Sequence, residues 1–147
     1  MNARHPATQA PANQSSTRFN RLRVLYWTVT LFLSLMLLMG GITEFIQHES
    51  GKEIMRHLGY PVHVLTLLGL GKILAAVTLI QTRIHVVKEW AYAGITFNLV
   101  GAFAARANAG DSAALILSPL IFLVVVFVSY ALWKRIEPVP GTVGSAA

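Results

Sequence analysis

Hydrophobic positions gather into four long runs separated by short polar segments, at about residues 22–42, 62–80, 90–105 and 113–133. An α-helix rises about 1.5 Å per residue, so segments of these lengths cross or nearly cross a hydrocarbon core of about 30 Å. The third run is the shortest and ends in the polar stretch RANAGD. Between the first two runs lies TEFIQHESGKEIMRHLGYP, residues 43–61, where Ile54, Met55 and Leu58 share one helical face and Lys52, Glu53, Arg56 and His57 lie elsewhere. That pattern predicts a short helix resting on the membrane surface, ended by Gly59 and Pro61. Pro119 predicts a kink in the last run, and Asp111 with Ser112 supplies capping groups where that run begins. Residues 1–17 carry no periodic apolar face and read as a disordered tail. Residues 18–136 then form the membrane domain and 137–147 a flexible C-terminal tail.

Composition turns these runs into membrane spans. Hydrophobic residues make up 54% of the chain, charged residues 12%, and mean hydropathy is +0.57. Too few polar side chains remain to cover a soluble globule, and such compositions belong in lipid. The net charge of +6 does not point to nucleic acid, because the basic residues form no stripe alternating with aromatics. They flank the runs instead. Arg18, Arg21, Arg23, Arg83, Lys88, Lys134 and Arg135 lie on the side shared by both termini, against Lys52, Arg56 and Arg106 on the other. Positive residues stay inside, which places both termini in the cytoplasm. Tyr26, Trp27, Trp90, Tyr92, Tyr130 and Trp133 fall near that cytoplasmic boundary, and Tyr60 near the outer one. The first run is too long for a signal peptide, has no small-x-small cleavage site after it, and reads as an anchor. The expected fold is an all-α integral membrane four-helix bundle with cytoplasmic termini, and its first partner is the lipid bilayer.

Candidate chemistry is sparse. The chain has no cysteine, which removes disulfides, iron–sulfur clusters and dithiol relays. It has no P-loop, G-x-G-x-x-G, H-E-x-x-H or C-x-x-C-H motif. A b-type haem needs two histidines facing each other within the spans, and no histidine lies mid-span. No catalytic residue can be named, and such a chain cannot carry electrons alone. On the outer face His48, His57 and His63 stand with Glu44, Glu49 and Glu53, but without recognised ligand spacing, so no metal site is expected.

Lys72 breaks the pattern. It sits in TLLGLGKILAAV, about ten residues from each end of the second run, where a charge costs at least about 2.5–3.5 kcal/mol. It must face the interior and find a partner. Leu65, Gly69, Lys72 and Ala76 share one helical stripe, and Ala91, Gly94, Asn98, Gly101 and Ala105 form another, so each polar residue is flanked by small ones on a close-packing face. Asn98 lies at a similar depth and is one candidate partner. Glu44 is the other: side chains lean toward a helix's N-terminus, so Glu44 leans inward from the first span while Lys72 leans outward from the second. The two can meet around a small outward-facing polar cavity. Arg106 reads as an outer-interface anchor within reach of Glu44 or Asp111, and Glu89 as an acid complementing a helix dipole. The candidate ligand-binding residues are therefore Lys72, Glu44, Asn98 and Arg106. The plainer alternative is that Lys72 and Asn98 only hydrogen-bond helices together.

Several pieces of the chain also match a known pattern: Glu44-Phe45 after the glycines, LGYP at 58–61, LGLGK at 68–72, KEWAYAG at 88–94, LVGA at 99–102 and GD at 110–111. Over residues 40–111 the sequence resembles the DoxX-like family of small four-span membrane proteins. Ala105-Arg106 departs from the Ser-His that often precedes Gly-Asp in that family. The resemblance implies a multi-pass helical protein of the bacterial cytoplasmic membrane. Some of the wider group are subunits of quinone-linked sulfur oxidation and others are accessory or chaperone-like. The function expected is an accessory or interaction subunit that binds a small lipid-soluble molecule, working with a membrane protein partner or as a homo-oligomer. The alternative is a subunit of a quinone-linked oxidoreductase, with quinone as its cofactor, Lys72 bonding a quinone carbonyl, and Glu44 or a histidine supplying protons.

Overall fold

The computed structural model describes residues 12–136, with side chains from residue 20 onward; the expected C-terminal tail and most of the N-terminal one lie outside these residues. The chain is all-α, with no strand among the described residues. The helices are α1 (Ala12–Phe45), α2 (Glu49–His57), α3 (Val64–Ile80), α4 (His85–Asn108) and α5 (Ala113–Ile136). α1 packs on α3 and α5, and α4 packs on the same two, so these four helices close a ring; α2 rests on α3. By length and apolar composition two segments, Asn20–Phe45 and Ala113–Ile136, can cross a membrane. α3 is apolar but has 17 residues, and α4 carries Lys88, Glu89 and Arg106 within its 24.

Backbone chemistry fixes the turns. α2 ends as its sequence predicts, with Gly59 in the left-handed region (φ +76°). Gly59 N–H donates to Arg56 O (3.1 Å) and Tyr60 N–H to Met55 O (2.8 Å), the paired bonds of a Schellman stop. α4 ends the same way. Gly110 (φ +73°) donates to Ala107 O (3.3 Å) and Asp111 N–H to Arg106 O (3.2 Å), which leaves the Asp111 side chain just past the stop. The short turn between α3 and α4 is knotted by Gln81, whose Oε1 accepts from the N–H groups of Arg83 and Ile84, both at 2.8 Å. α5 is continuous through Pro119. Proline cannot donate to the carbonyl four residues back, and the Ser118 hydroxyl donates to that carbonyl, Leu115 O, at 2.9 Å.

One close approach sets the spacing of α1 and α3. A Cβ added at Gly69 would lie 2.5 Å from Phe45 N and 2.6 Å from Gly41 O, and one added at Gly41 would lie 2.9 Å from Gly69 O. Only glycine lets the two backbones meet here. The stripe predicted on α3 is therefore real, with Leu65, Gly69 and Ala76 buried, and α1 is the helix it meets. The stripe predicted on α4 is not a contact. A Cβ at Gly94 or Gly101 would touch nothing within 4 Å, because periodicity marks a face without saying what stands opposite.

The core lies at the end of the ring away from α2, where Tyr26, Leu79, Tyr92, Val126 and Trp133 are buried. Outward-facing positions are apolar, with Leu67, Trp90 and Phe97 each more than 70% exposed. A contiguous apolar exterior of this kind suits a hydrocarbon surround.

Candidate functional site

At the α2 end the ring opens into a cavity of about 590 Å³. Along α4 its lining runs from Ile95 to Arg106, a length of about 16 Å at helical rise. Most of the wall is aliphatic, including Leu33, Leu68 and Val126, with Met36 and Met55 adding soft, adaptable surface. Ile54, Met55, Leu58 and Tyr60 form its roof, so the apolar face of α2 covers a cavity rather than merely lying on a membrane.

Lys72 and Glu44 meet in the wall. Nζ of Lys72 donates to Oε1 of Glu44, and the two side chains are 22% and 23% exposed. The geometry follows from the Gly41–Gly69 contact: Lys72 Cβ lies beside Gly41, one turn below Glu44, so an outward-leaning lysine meets an inward-leaning glutamate. Glu44 Oε2 is buried and has no hydrogen-bond partner. The carboxylate therefore depends on Lys72 for its compensation.

Asn98 lines the same cavity, but Lys72 bonds Glu44 and not Asn98. No hydrogen bond engages the Asn98 amide among the described residues. Arg106 also reaches the cavity wall, and its Nη1 donates to Asp111 Oδ2 at 2.8 Å. The other Asp111 oxygen accepts from His57 Nε2 at 2.6 Å. The carboxylate expected to cap α5 thus clamps α2 to the end of α4. The His57 hydrogen bond, then that from Arg106, hold the Asp111 carboxyl below its usual range against the opposing effect of burial. Sequence reasoning brought Lys72, Glu44, Asn98 and Arg106 to one region, and all four do border one cavity. It missed the His57–Asp111 clamp, whose only signal was that both residues lie at the same end.

Of the other acids and histidines at this end, His48 and Glu49 have partners. His48 Nδ1 is 2.9 Å from Ser50 Oγ, and Lys52 donates to Glu49 at 2.8 Å. Among the described residues no three metal-ligating side chains converge.

The opposite end holds a second polar cluster that sequence reading placed at the boundary. Lys88 is 1% exposed and Trp133 fully buried. Lys88 Nζ donates to Tyr26 Oη at 2.6 Å and to Gln81 O at 3.3 Å, and lies 5.3 Å from the ring centroids of both Tyr26 and Trp133. One turn on, Ser129 Oγ bonds Thr30 Oγ1 (2.9 Å) and Tyr92 Oη (2.8 Å), tying α1, α4 and α5 together. Lys134 pairs with Glu89 and lies 4.8 Å from the Trp133 ring centroid. Lys88, Glu89 and Tyr92 thus act at this end, where the KEWAYAG segment locks helices together rather than lining the cavity.

The model of the DoxX-like family matches residues 28–129, which hold the Lys72–Glu44 pair and all of the second cluster but Tyr26, Trp133 and Lys134. The chain belongs to the DoxX-like family. Membership and the apolar helices together indicate a membrane protein. No curated protein and no solved structure matches the chain. In DoxX-like terms, the GD segment is the α4 stop plus the carboxylate of the α2 clamp, and LGLGK is the close-packing stripe that delivers Lys72. Arg106, where the family often has histidine, is the residue that steadies Asp111.

Proposed function

We propose that this DoxX-like protein is a four-helix bundle of the bacterial cytoplasmic membrane, spanning it four times with both termini in the cytoplasm. We further propose that it serves as an accessory or interaction subunit holding a small lipid-soluble molecule in its outer cavity. Four spans are supported by the closed ring of α1, α3, α4 and α5. They are supported too by the apolar stretch of α4 between Glu89 and Arg106, about 24 Å of helix. The basic residues concentrated at the end away from α2 support the orientation.

The observation that carries the binding role is the cavity itself. It is apolar, of ligand size, and bordered by an intramembrane lysine–glutamate pair. Intramembrane ionisable residues cost stability, and a stability role alone would be served better by apolar packing. The same pair favours a second reading, a quinone-linked subunit in which Lys72 donates to a quinone carbonyl and Glu44 exchanges a proton, with electrons supplied by a partner protein.

Purification in mild detergent and mass spectrometry of what co-elutes tests both. A retained lipid-soluble molecule is expected, and Lys72→Met should lose it while still inserting into the membrane. A retained quinone with a stoichiometric partner selects the second reading. An empty cavity in the native protein, or full retention by Lys72→Met, removes the binding role.

A further inference from the structure

The charges that border the cavity cancel locally. Lys72 is taken by Glu44, and Arg106 by Asp111, which also holds His57. Each described lysine, arginine and carboxylate along the wall already has an opposite charge beside it. The Lys72–Glu44 pair is already neutral, so an anionic headgroup would add an uncompensated negative charge even if it took a remaining N–H of Lys72. A cationic one would add an uncompensated positive charge even if it lay against Glu44 Oε2. Either arrangement leaves a net charge in an apolar surround.

Glu44 Oε2 and the Tyr60 hydroxyl are unengaged on the lining, and the unengaged side chain there that carries both donors and an acceptor within an amide is Asn98. Its side chain carries one acceptor and two donors, borders the cavity, and makes no hydrogen bond among the described residues. It lies one turn from Ile95, where the lining of α4 begins, with the aliphatic side chains of Leu33 and Val126 bordering the same cavity. A group that donates and accepts at once satisfies an amide better than a carbonyl, which only accepts.

We infer that the cavity selects an uncharged, single-chain amphiphile whose polar end is a hydroxyl or a primary amide bonded to Asn98, and rejects fatty anions and ammonium lipids of the same length. This rests on the binding role proposed above. The locally neutral ion pairs then act as a filter on charge, and Asn98 as the contact that fixes polarity.

The test uses the full chain in nanodiscs, with retention of dodecane, dodecanol, dodecyl phosphate and dodecyltrimethylammonium measured by mass spectrometry against empty discs. Dodecanol is expected to be retained about three- to tenfold better than dodecane, the range one net hydrogen bond gives. Both ions should stay near the empty-disc level. Asn98→Leu should bring dodecanol down to dodecane, whose undiminished retention shows that the variant's cavity is intact. Retention of either ion as strong as dodecanol, or an unchanged dodecanol preference in Asn98→Leu, overturns the inference while leaving the binding role standing. If no probe exceeds empty discs, dodecane included, the binding role falls and the inference with it.

Discussion

The two ends of the helix ring solve the same problem in opposite ways. Each holds a lysine out of bulk water, Lys88 at one end and Lys72 at the other. Around Lys88 the space is filled: Tyr26 and Trp133 stack against the ammonium, and Ser129 ties Thr30 to Tyr92 one turn away. Around Lys72 the space is left open, with a cavity in place of aromatic rings. The segments that resemble the family divide between these ends. A buried polar network with its partners in place rigidifies a fold, whereas one bordering an empty volume is available for something else. Stability and binding should therefore separate along the helix axis, and substitutions at each end can break that separation.

The largest effect is expected at the filled end. Trp133→Ala removes a fully buried indole and should cost about 3–5 kcal/mol, read as a large drop in thermal stability in detergent. Ligand retention by the fraction still folded should be unchanged at low temperature. A loss of retention matching the loss of stability would mean the two ends are one unit. Next comes Gly69→Ala. Its Cβ would press on the backbone of Phe45 and Gly41, so about 1–3 kcal/mol is expected, together with separation of Lys72 from Glu44. Gly94→Ala, with open space at its Cβ, should be neutral or stabilising by up to about 1 kcal/mol. Equal effects from the two alanines would mean that α1 and α3 do not meet at Gly69.

Lys72→Met sharpens the comparison further, since it orphans Glu44 and should destabilise by about 1–3 kcal/mol. Adding Glu44→Gln removes the orphaned charge and should recover most of that stability. Ligand retention should be lost in the single variant, whose cavity wall carries a bare carboxylate, and return in the double one, which leaves the wall neutral and Asn98 in place. If the double variant stays empty, the pair itself contacts the ligand.

These expectations rest on residues that differ in how readable they were. Lys72 and Glu44 were legible because helix geometry alone dictates which way side chains lean, and because a mid-span charge demands a partner. The end of α2 was legible because Gly59 is the residue a left-handed stop needs. Lys88 and Trp133 were not. A lysine and an aromatic near the end of an apolar run look like interface anchors, and only the neighbouring helices decide whether they are solvated or enclosed. Asn98 stood on a correct face with the wrong neighbour: the stripe that seemed to pack against α3 borders a cavity. Helix faces can be read from one chain, while the space between faces depends on the packing of all of them.

The smallest effect concerns how α2 is fastened over the open end. Asp111 takes hydrogen bonds from His57 of α2 and from Arg106 of α4, and they hold its carboxyl below the ordinary value of 3.8. A carboxylate whose folded value is lowered contributes stability that is present above the unfolded value and is lost as pH falls through the folded one. The clamp should therefore hold from neutral pH down to the ordinary carboxylate range and loosen only in stronger acid. Amide hydrogen exchange across α2 reads this directly, with faster exchange expected at low pH while the helices of the ring stay protected. Asp111→Asn should exchange faster at neutral pH and lose the acid-dependent step. A step of the same size in that variant would place the titrating group elsewhere, and α2 would then be held over the cavity by Ile54, Met55 and Leu58 alone.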